Sequence, residues 1–303
     1  MTAALEIRNL SKIYKGNTHA LNKVSLEVKQ GDFYSLLGAN GAGKTTLLGI
    51  LCGLVTKTSG SVKIFGVGID NDFSLAKSQI AIVPQELNFN IFEKVMSIVV
   101  NQAGYYGIPR KVALQRAEYY LQKLDLWHKR FTPAMHLSGG MKRRLMIVRA
   151  LVTKPKLLIL DEPTAGVDIE LRRQMWAFLT ELNNNGMTII LTTHYLEEAE
   201  KLCNNLAIID KGKVIAAASM QDILAKLPQQ QFILETESRL DNLPDLTAYN
   251  PVILGEHKLQ LEVRSGQNLN NAFTIFNQHN INITSVTPQT GRLEELFVSL
   301  TSN

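Results

Sequence analysis

Gly38-Ala39-Asn40-Gly41-Ala42-Gly43-Lys44-Thr45 is the stretch from which the rest of the chain is read. It fits the spacing G-x-x-x-x-G-K-[ST] of a phosphate-binding loop. Glycines at this density let the backbone curl until several N–H groups point at one anion. A helix starting directly behind the loop turns its positive end toward the same anion. Lys44 can reach β- and γ-phosphates, and the Thr45 hydroxyl can ligate Mg²⁺. Asn40, Ala42 and Thr46 belong to the same cradle. The flanks agree. Phe33 to Leu37 runs apolar into the loop, and Leu47, Leu48, Ile50, Leu51 and Leu54 follow it at helical spacing. A plain glycine-rich turn leaves Lys44 unexplained.

Outward from the loop, residues 4–14 and 24–37 read as strands, with a turn at Gly31-Asp32. A short strand, Ile80 to Val83, ends at Pro84-Gln85. Residues 86–136 are mostly helical, broken at Gly107-Ile108-Pro109. Leu137-Ser138-Gly139-Gly140 opens another helix. Leu157 to Leu160 is a continuous apolar run, the pattern of a strand buried on both faces of a parallel sheet. Residues 168–185 read as a helix, Met187 to Leu191 as a second buried strand ending near His194, and Leu206 to Ile215 as a hairpin. Strands alternating with helices predict an α/β fold with a mostly parallel sheet. This domain is expected to span 1–227, with a helical subdomain at about 86–155. Pro228-Gln229-Gln230-Gln231 reads as a linker. Strands at 232–237, 251–254, 258–264 and 281–287 and a helix near 268–278 predict a small α+β domain over 228–303, without a chemical motif.

Composition bounds the function. The chain has 303 residues, 45% of them hydrophobic, enough for about two domains and a full core. The net charge of +5 comes from 32 basic and 27 acidic residues. Nucleic-acid proteins more often carry a concentrated basic stripe. Here the one tight cluster is Lys142-Arg143-Arg144, read as a solvated helix face, and no nucleic acid is expected as partner. Two cysteines, Cys52 and Cys203, make no disulfide framework and read as buried hydrophobes. No stretch has the roughly 20 unbroken apolar residues that span a bilayer. The N-terminus carries no signal-peptide pattern.

Leu157-Leu158-Ile159-Leu160-Asp161-Glu162 supplies the second chemical element. A carboxylate closing a buried strand is costly unless it serves a cation. Asp161 is therefore the candidate Mg²⁺ ligand, and Glu162 the candidate general base for an attacking water. Leu137-Ser138-Gly139-Gly140-Met141 is the third. With this third motif lying in the chain between the other two, residues 4 to about 225 resemble the ATP-binding subunits of ABC transporters, whose signature is written LSGGQ. The runs Gly139–Leu145 and Ala165–Arg173, and the tail Leu293–Phe297, resemble the branch that powers drug, polysaccharide and lipid-linked exporters, in particular YadG-like subunits.

The resemblance implies an ATPase with the P-loop ABC fold: a parallel core, an antiparallel β subdomain and a helical subdomain. It implies a head-to-tail homodimer in which Ser138, Gly139 and Gly140 of one chain close over the ATP of the other. It also implies a separately encoded transmembrane permease, peripheral residence on the cytoplasmic face of the membrane, and export. Residue by residue, Tyr14 takes the place of an aromatic ring stacked on adenine. Gln85 takes that of the Q-loop glutamine near Mg²⁺ and water, Asp168 that of the D-loop acid, and His194 that of the switch histidine on the γ-phosphate. Ala39, Thr45 and Met141 depart from the usual Pro, Ser and Gln. The segment 86–136 would receive the permease's coupling helix. Phe89, Phe92, Tyr105 and Tyr106 each read first as subdomain core and second as the lining of that groove. The rival reading is a soluble ABC ATPase acting on ribosomes or DNA. Such relatives carry two ATPase domains, coiled coils or zinc insertions, and this chain has none.

Overall fold

The computed structural model describes residues 3–225, 227, 229–240, 243–264, 266–289 and 291–301. The chain divides into two units, Met1–Ser219 and Met220–Asn303, eight residues ahead of the expected boundary.

The first unit opens with β1 (Ala3–Tyr14), β2 (Thr18–Lys29) and β3 (Phe33–Leu37), followed by α1 (Lys44–Leu51). Next come β4 (Ser59–Ile64), β5 (Val67–Gly68), α2 (Phe73–Ser78) and β6 (Ile80–Val83). Helices α3 (Val95–Tyr105), α4 (Arg110–Lys123) and α5 (Gly139–Leu151) fill the middle. The unit closes with β7 (Leu157–Asp161), α6 (Ile169–Asn184), β8 (Thr188–Thr192), α7 (Leu196–Leu202), β9 (Asn205–Asp210) and β10 (Lys213–Ser219).

Two sheets result. The central sheet runs β10-β9-β3-β8-β7-β6, and every pairing from β9 to β6 is parallel. All five residues of β3 and the first four of β7 are buried, as the unbroken apolar runs demand. The second sheet, β2-β1-β4-β5, is antiparallel, and β2 alternates buried and exposed residues from Lys23 to Lys29. Ile7, Leu26, Val62 and Ile64 from this sheet and Leu36, Ile159 and Ile190 from the central one join a single core with α1. Cys52 and Cys203 are free thiols within buried surroundings; burial pushes Cys52 up to about 11 and Cys203 well above its ordinary value.

The second unit consists of α8 (Met220–Leu224), β11 (Gln229–Thr236), β12 (Val252–Gly255), β13 (Lys258–Arg264), α9 (Asn270–Gln278), β14 (Ile283–Pro288) and α10 (Arg292–Thr301). Its strands form one antiparallel sheet in the order β12-β13-β11-β14. Leu234, Leu259, Leu261, Ala272 and Phe276 make a separate core. The expected linker is corrected here: Gln229, Gln230 and Gln231 pair in register with Arg264, Val263 and Glu262 as the start of β11. Pro228 lies outside the described residues.

Candidate nucleotide site

Four neighbouring parallel strands deliver the first group of side chains. The phosphate loop follows β3, Gln85 sits two residues beyond β6, Asp161 closes β7, and His194 lies two residues beyond β8. Because these strands run the same way, all of them end on one carboxyl edge. That edge is where open α/β sheets bind ligands.

Gly43 caps α1 with a left-handed φ of 112°. A Cβ there would fall 2.6 Å from the Ala20 carbonyl oxygen, so only glycine fits. Lys44 Nζ folds over the loop and donates to the carbonyl oxygens of Gly38 (2.5 Å) and Ala39 (3.1 Å). Burial lowers the Lys44 pKa, and the Glu162 and Asp161 carboxylates oppose that shift. The ammonium therefore stands in the field of both acids. Tyr14 ends β1 with its hydroxyl 3.5 Å from Thr46 Oγ1. Its ring is 41% exposed, which leaves surface for a planar base to stack on.

Asp161 and Thr192 are register partners across β7 and β8. The Thr192 hydroxyl donates to Asp161 Oδ1 and accepts the Glu162 amide at 3.2 Å. The same amide meets the Thr192 carbonyl oxygen at 3.0 Å. Glu162 adopts φ 50°, a left-handed conformation uncommon outside glycine. Strained backbone of this kind persists only where its surroundings hold it, and here the two contacts to Thr192 do so. The side chain is held as well: Glu162 Oε2 accepts from Gln85 Nε2 at 3.1 Å and lies 3.0 Å from His194 Nδ1. Both contacts fall on one carboxylate oxygen, which leaves the lone pairs of Oε1 for a proton.

A second group forms elsewhere on the unit. Ser138 caps α5 by accepting the Met141 amide at 3.2 Å, and Asp168 caps α6 by accepting the Leu171 amide at 2.8 Å. The two helix starts are neighbours, since a Cβ on Gly140 would sit 2.2 Å from Leu171 Cδ2. Ser138 and Gly139 are exposed. Among the described residues no hydrogen bond or ion pair joins Ser138, Gly139, Gly140 or Asp168 to the phosphate loop. The structure thus brings Lys44, Asp161, Glu162, Gln85 and His194 together and leaves the other four apart from them.

Two readings are corrected. Lys142-Arg143-Arg144 is not a solvated face: Arg143 is 7% exposed and donates from Nη1 to the Pro84 carbonyl oxygen at 2.8 Å. Arg144 donates to the Leu124 carbonyl oxygen at 2.8 Å. Burial lowers the Arg143 pKa, with Asp161 and Glu162 opposing. Phe92 and Tyr105, read first as core, are 72% and 84% exposed. Sequence reasoning also missed Thr192 and Glu198. Glu198 Oε1 accepts from Thr164 Oγ1 (3.0 Å) and Trp176 Nε1 (2.8 Å), tying the loop behind β7 and helix α6 to α7. The available signal for Thr192 was a hydroxyl directly behind the apolar run Ile189–Leu191.

Among the described residues no group of three or more His, Cys, Asp or Glu side chains can hold a metal by itself. The carboxylate, hydroxyl and amide that Asp161, Thr45 and Gln85 carry are donor types that suit Mg²⁺ taking its other ligands from phosphate and water. No helix among the described residues is long and apolar enough to cross a membrane.

Comparison with known proteins bears on the family and the fold. A family model described as ABC transporter matches residues 21–165. The linearmycin resistance ATP-binding protein LnrL of Bacillus subtilis is 33% identical over 305 residues, covering 98% of each chain and so both units. The Nod factor export ATP-binding protein I of Cupriavidus pinatubonensis is 40% identical over 227 residues, 74% of this chain and 69% of that one. A solved ATP-binding subunit of an ABC transporter superposes with a TM-score of 0.68 at 29% identity, covering 73% of this chain and 91% of its own. A dimeric ATP-binding cassette in a post-hydrolysis state with ADP and Pi gives 0.65 at 26% identity, covering 71% and 98%. By its fold, its motifs and these relatives, the chain belongs to the ABC transporter family as an ATP-binding and ATP-hydrolysing subunit.

Proposed function

We propose that the chain is the motor of a membrane exporter. It works as a head-to-tail pair on a separately encoded transmembrane permease, from the cytoplasmic face of the membrane. The observation that carries this reading is the separation of the site into two groups on one chain. The first group holds everything needed at the terminal phosphate and its water. The second is an exposed helix start with the chemistry of an anion cap, joined to the phosphate loop of its own chain by no hydrogen bond or ion pair among the described residues. A second copy, rotated by two-fold symmetry, completes both sites at once. The export and resistance roles in the names of the relatives support the direction.

In this mechanism Tyr14 stacks on adenine. The amides of residues 40–45 and Lys44 hold the β- and γ-phosphates. Thr45, Asp161 and Gln85 hold Mg²⁺, which neutralises charge on the phosphate oxygens when bound. Glu162 takes the proton of the attacking water on Oε1, while Gln85 and His194 fix Oε2. Ser138, Gly139 and Gly140 of the second copy cap the γ-phosphate, and Asp168 couples the two sites. ATP thus stabilises the closed pair, and hydrolysis releases it. The exposed Phe92 and Tyr105, with a cavity of about 420 Å³ lined by Val100, Gly104, Tyr105 and Ile108, offer the permease a docking face.

Glu162→Gln tests the reading. The amide keeps size and hydrogen bonding but cannot take a proton. Turnover is expected to fall by about 10²–10⁴-fold, while ATP drives the variant into a stable dimer on gel filtration. Hydrolysis at the parent rate would remove Glu162 from its proposed role.

A further inference from the structure

α5 does more than present Ser138. Two of its arginines turn back onto the segment that carries Gln85. Arg143 Nη1 holds the Pro84 carbonyl oxygen at 2.8 Å. Arg149 Nη1 donates to the Asn88 carbonyl oxygen at 2.9 Å and to Asn88 Oδ1 at 2.7 Å, and its Nε holds Gln102 Oε1 of α3 at 2.9 Å. Residues 84–88 are therefore pinned to α5 at both ends. Between the pins, Gln85 reaches Glu162 at 3.1 Å. A guanidinium does not discharge when buried, so hiding it is costly without compensation. Arg143 finds that compensation in a Q-loop carbonyl and in the field of Asp161 and Glu162. Its five-residue separation from Ser138 spans about 7.5 Å of one rigid helix.

We propose that Arg143 and Arg149 are positioning residues that make segment 84–88 move with the signature helix. Docking of one chain's signature on its partner's nucleotide then adjusts Gln85 against Glu162 in that chain's own site, a contact the chain already makes by itself at 3.1 Å. This rests on the head-to-tail reading. It makes the two sites of a pair communicate, because each chain's Glu162 responds to the nucleotide held by the other. Neither arginine touches substrate in this arrangement. Both act through Gln85.

The test measures ATPase rate against ATP concentration for the full-length chain. Arg143→Met, Arg143→Lys and Arg149→Met are compared, each alone and combined with Gln85→Ala. Arg143→Met is expected to lower kcat about tenfold, the scale seen when a supporting partner of a site is removed. The KM for ATP should stay within about twofold, and the Hill coefficient should fall toward one. Arg143→Lys, which keeps a cation able to reach the carbonyl, should restore most of kcat. On the Gln85→Ala background Arg143→Met should cost nothing further. Equal losses on both backgrounds, or a lysine as poor as methionine with a matching loss of thermal stability, would overturn the proposal and leave the arginines as packing for α5. Glu162→Gln run in parallel separates the two levels. A variant that stays monomeric with ATP takes down the head-to-tail reading and this proposal with it. A dimer combined with additive Arg143 effects removes this proposal alone.

Discussion

The phosphate-loop side and the signature side of the first unit solve opposite problems. On the first, Lys44, Asp161, Glu162, Gln85, Thr192 and His194 interlock through contacts made within one chain. On the second, Ser138 and Asp168 only cap their own helices, and the surface above them faces solvent. In the proposed reading the interlocked side brings its groups into contact within one chain, and the partner adjusts Gln85 through α5. In the same reading the capped side is covered by the second copy. Catalysis should thus be lost through geometry on the first side and through assembly on the second.

The sharpest break in that contrast comes from Lys44→Ala. It removes the loop's cation, which the proposed mechanism sets on the phosphates, and ATPase activity should fall by about 10²–10³-fold. Measured nucleotide affinity should weaken alongside. Thr192→Val is the next step down. It deletes the hydroxyl that serves both Asp161 and the Glu162 amide, at a cost in unfolding free energy of about 1–3 kcal/mol. The kcat should drop about tenfold, with nucleotide affinity unchanged. On the other side, Gly140→Ala places a methyl against Leu171, so the leucine tip must shift. Overpacking of this kind costs about 1–3 kcal/mol. It should weaken ATP-driven dimerisation while a single chain binds nucleotide as before. Ser138→Ala gives the smallest stability change, about 1 kcal/mol for a lost cap, read by thermal denaturation.

Much of the first side is legible because burial and chemistry coincide there. The apolar runs Phe33–Leu37 and Leu157–Leu160 announce central strands, and the polar residues at their ends have few roles open to them. The rest depends on partners that spacing does not reveal. Arg143 looks like its neighbours in a basic triplet until α5 folds against Pro84. Gln229–Gln231 reads as linker because its side chains are polar, yet β-pairing is a backbone matter and β13 supplies it. β4 carries two fully buried apolar residues, Val62 and Ile64, too few to stand out before β1 pairs with it. Glu198 looks like one of several acids on a short helix, and only the approach of Thr164 and Trp176 marks it as a buried junction.

The most direct test of the account mixes two dead chains. Lys44→Ala ruins the phosphate loop but keeps the signature, and Ser138→Arg keeps the loop but blocks the signature with a bulky cation. A head-to-tail pair containing one of each has one site with both defects and one site with neither. The account predicts that each variant alone is inactive and that an equimolar mixture regains measurable ATPase activity. A mixture no more active than its parts, with mixed dimers shown to form, would contradict the claim that each site is built from two chains.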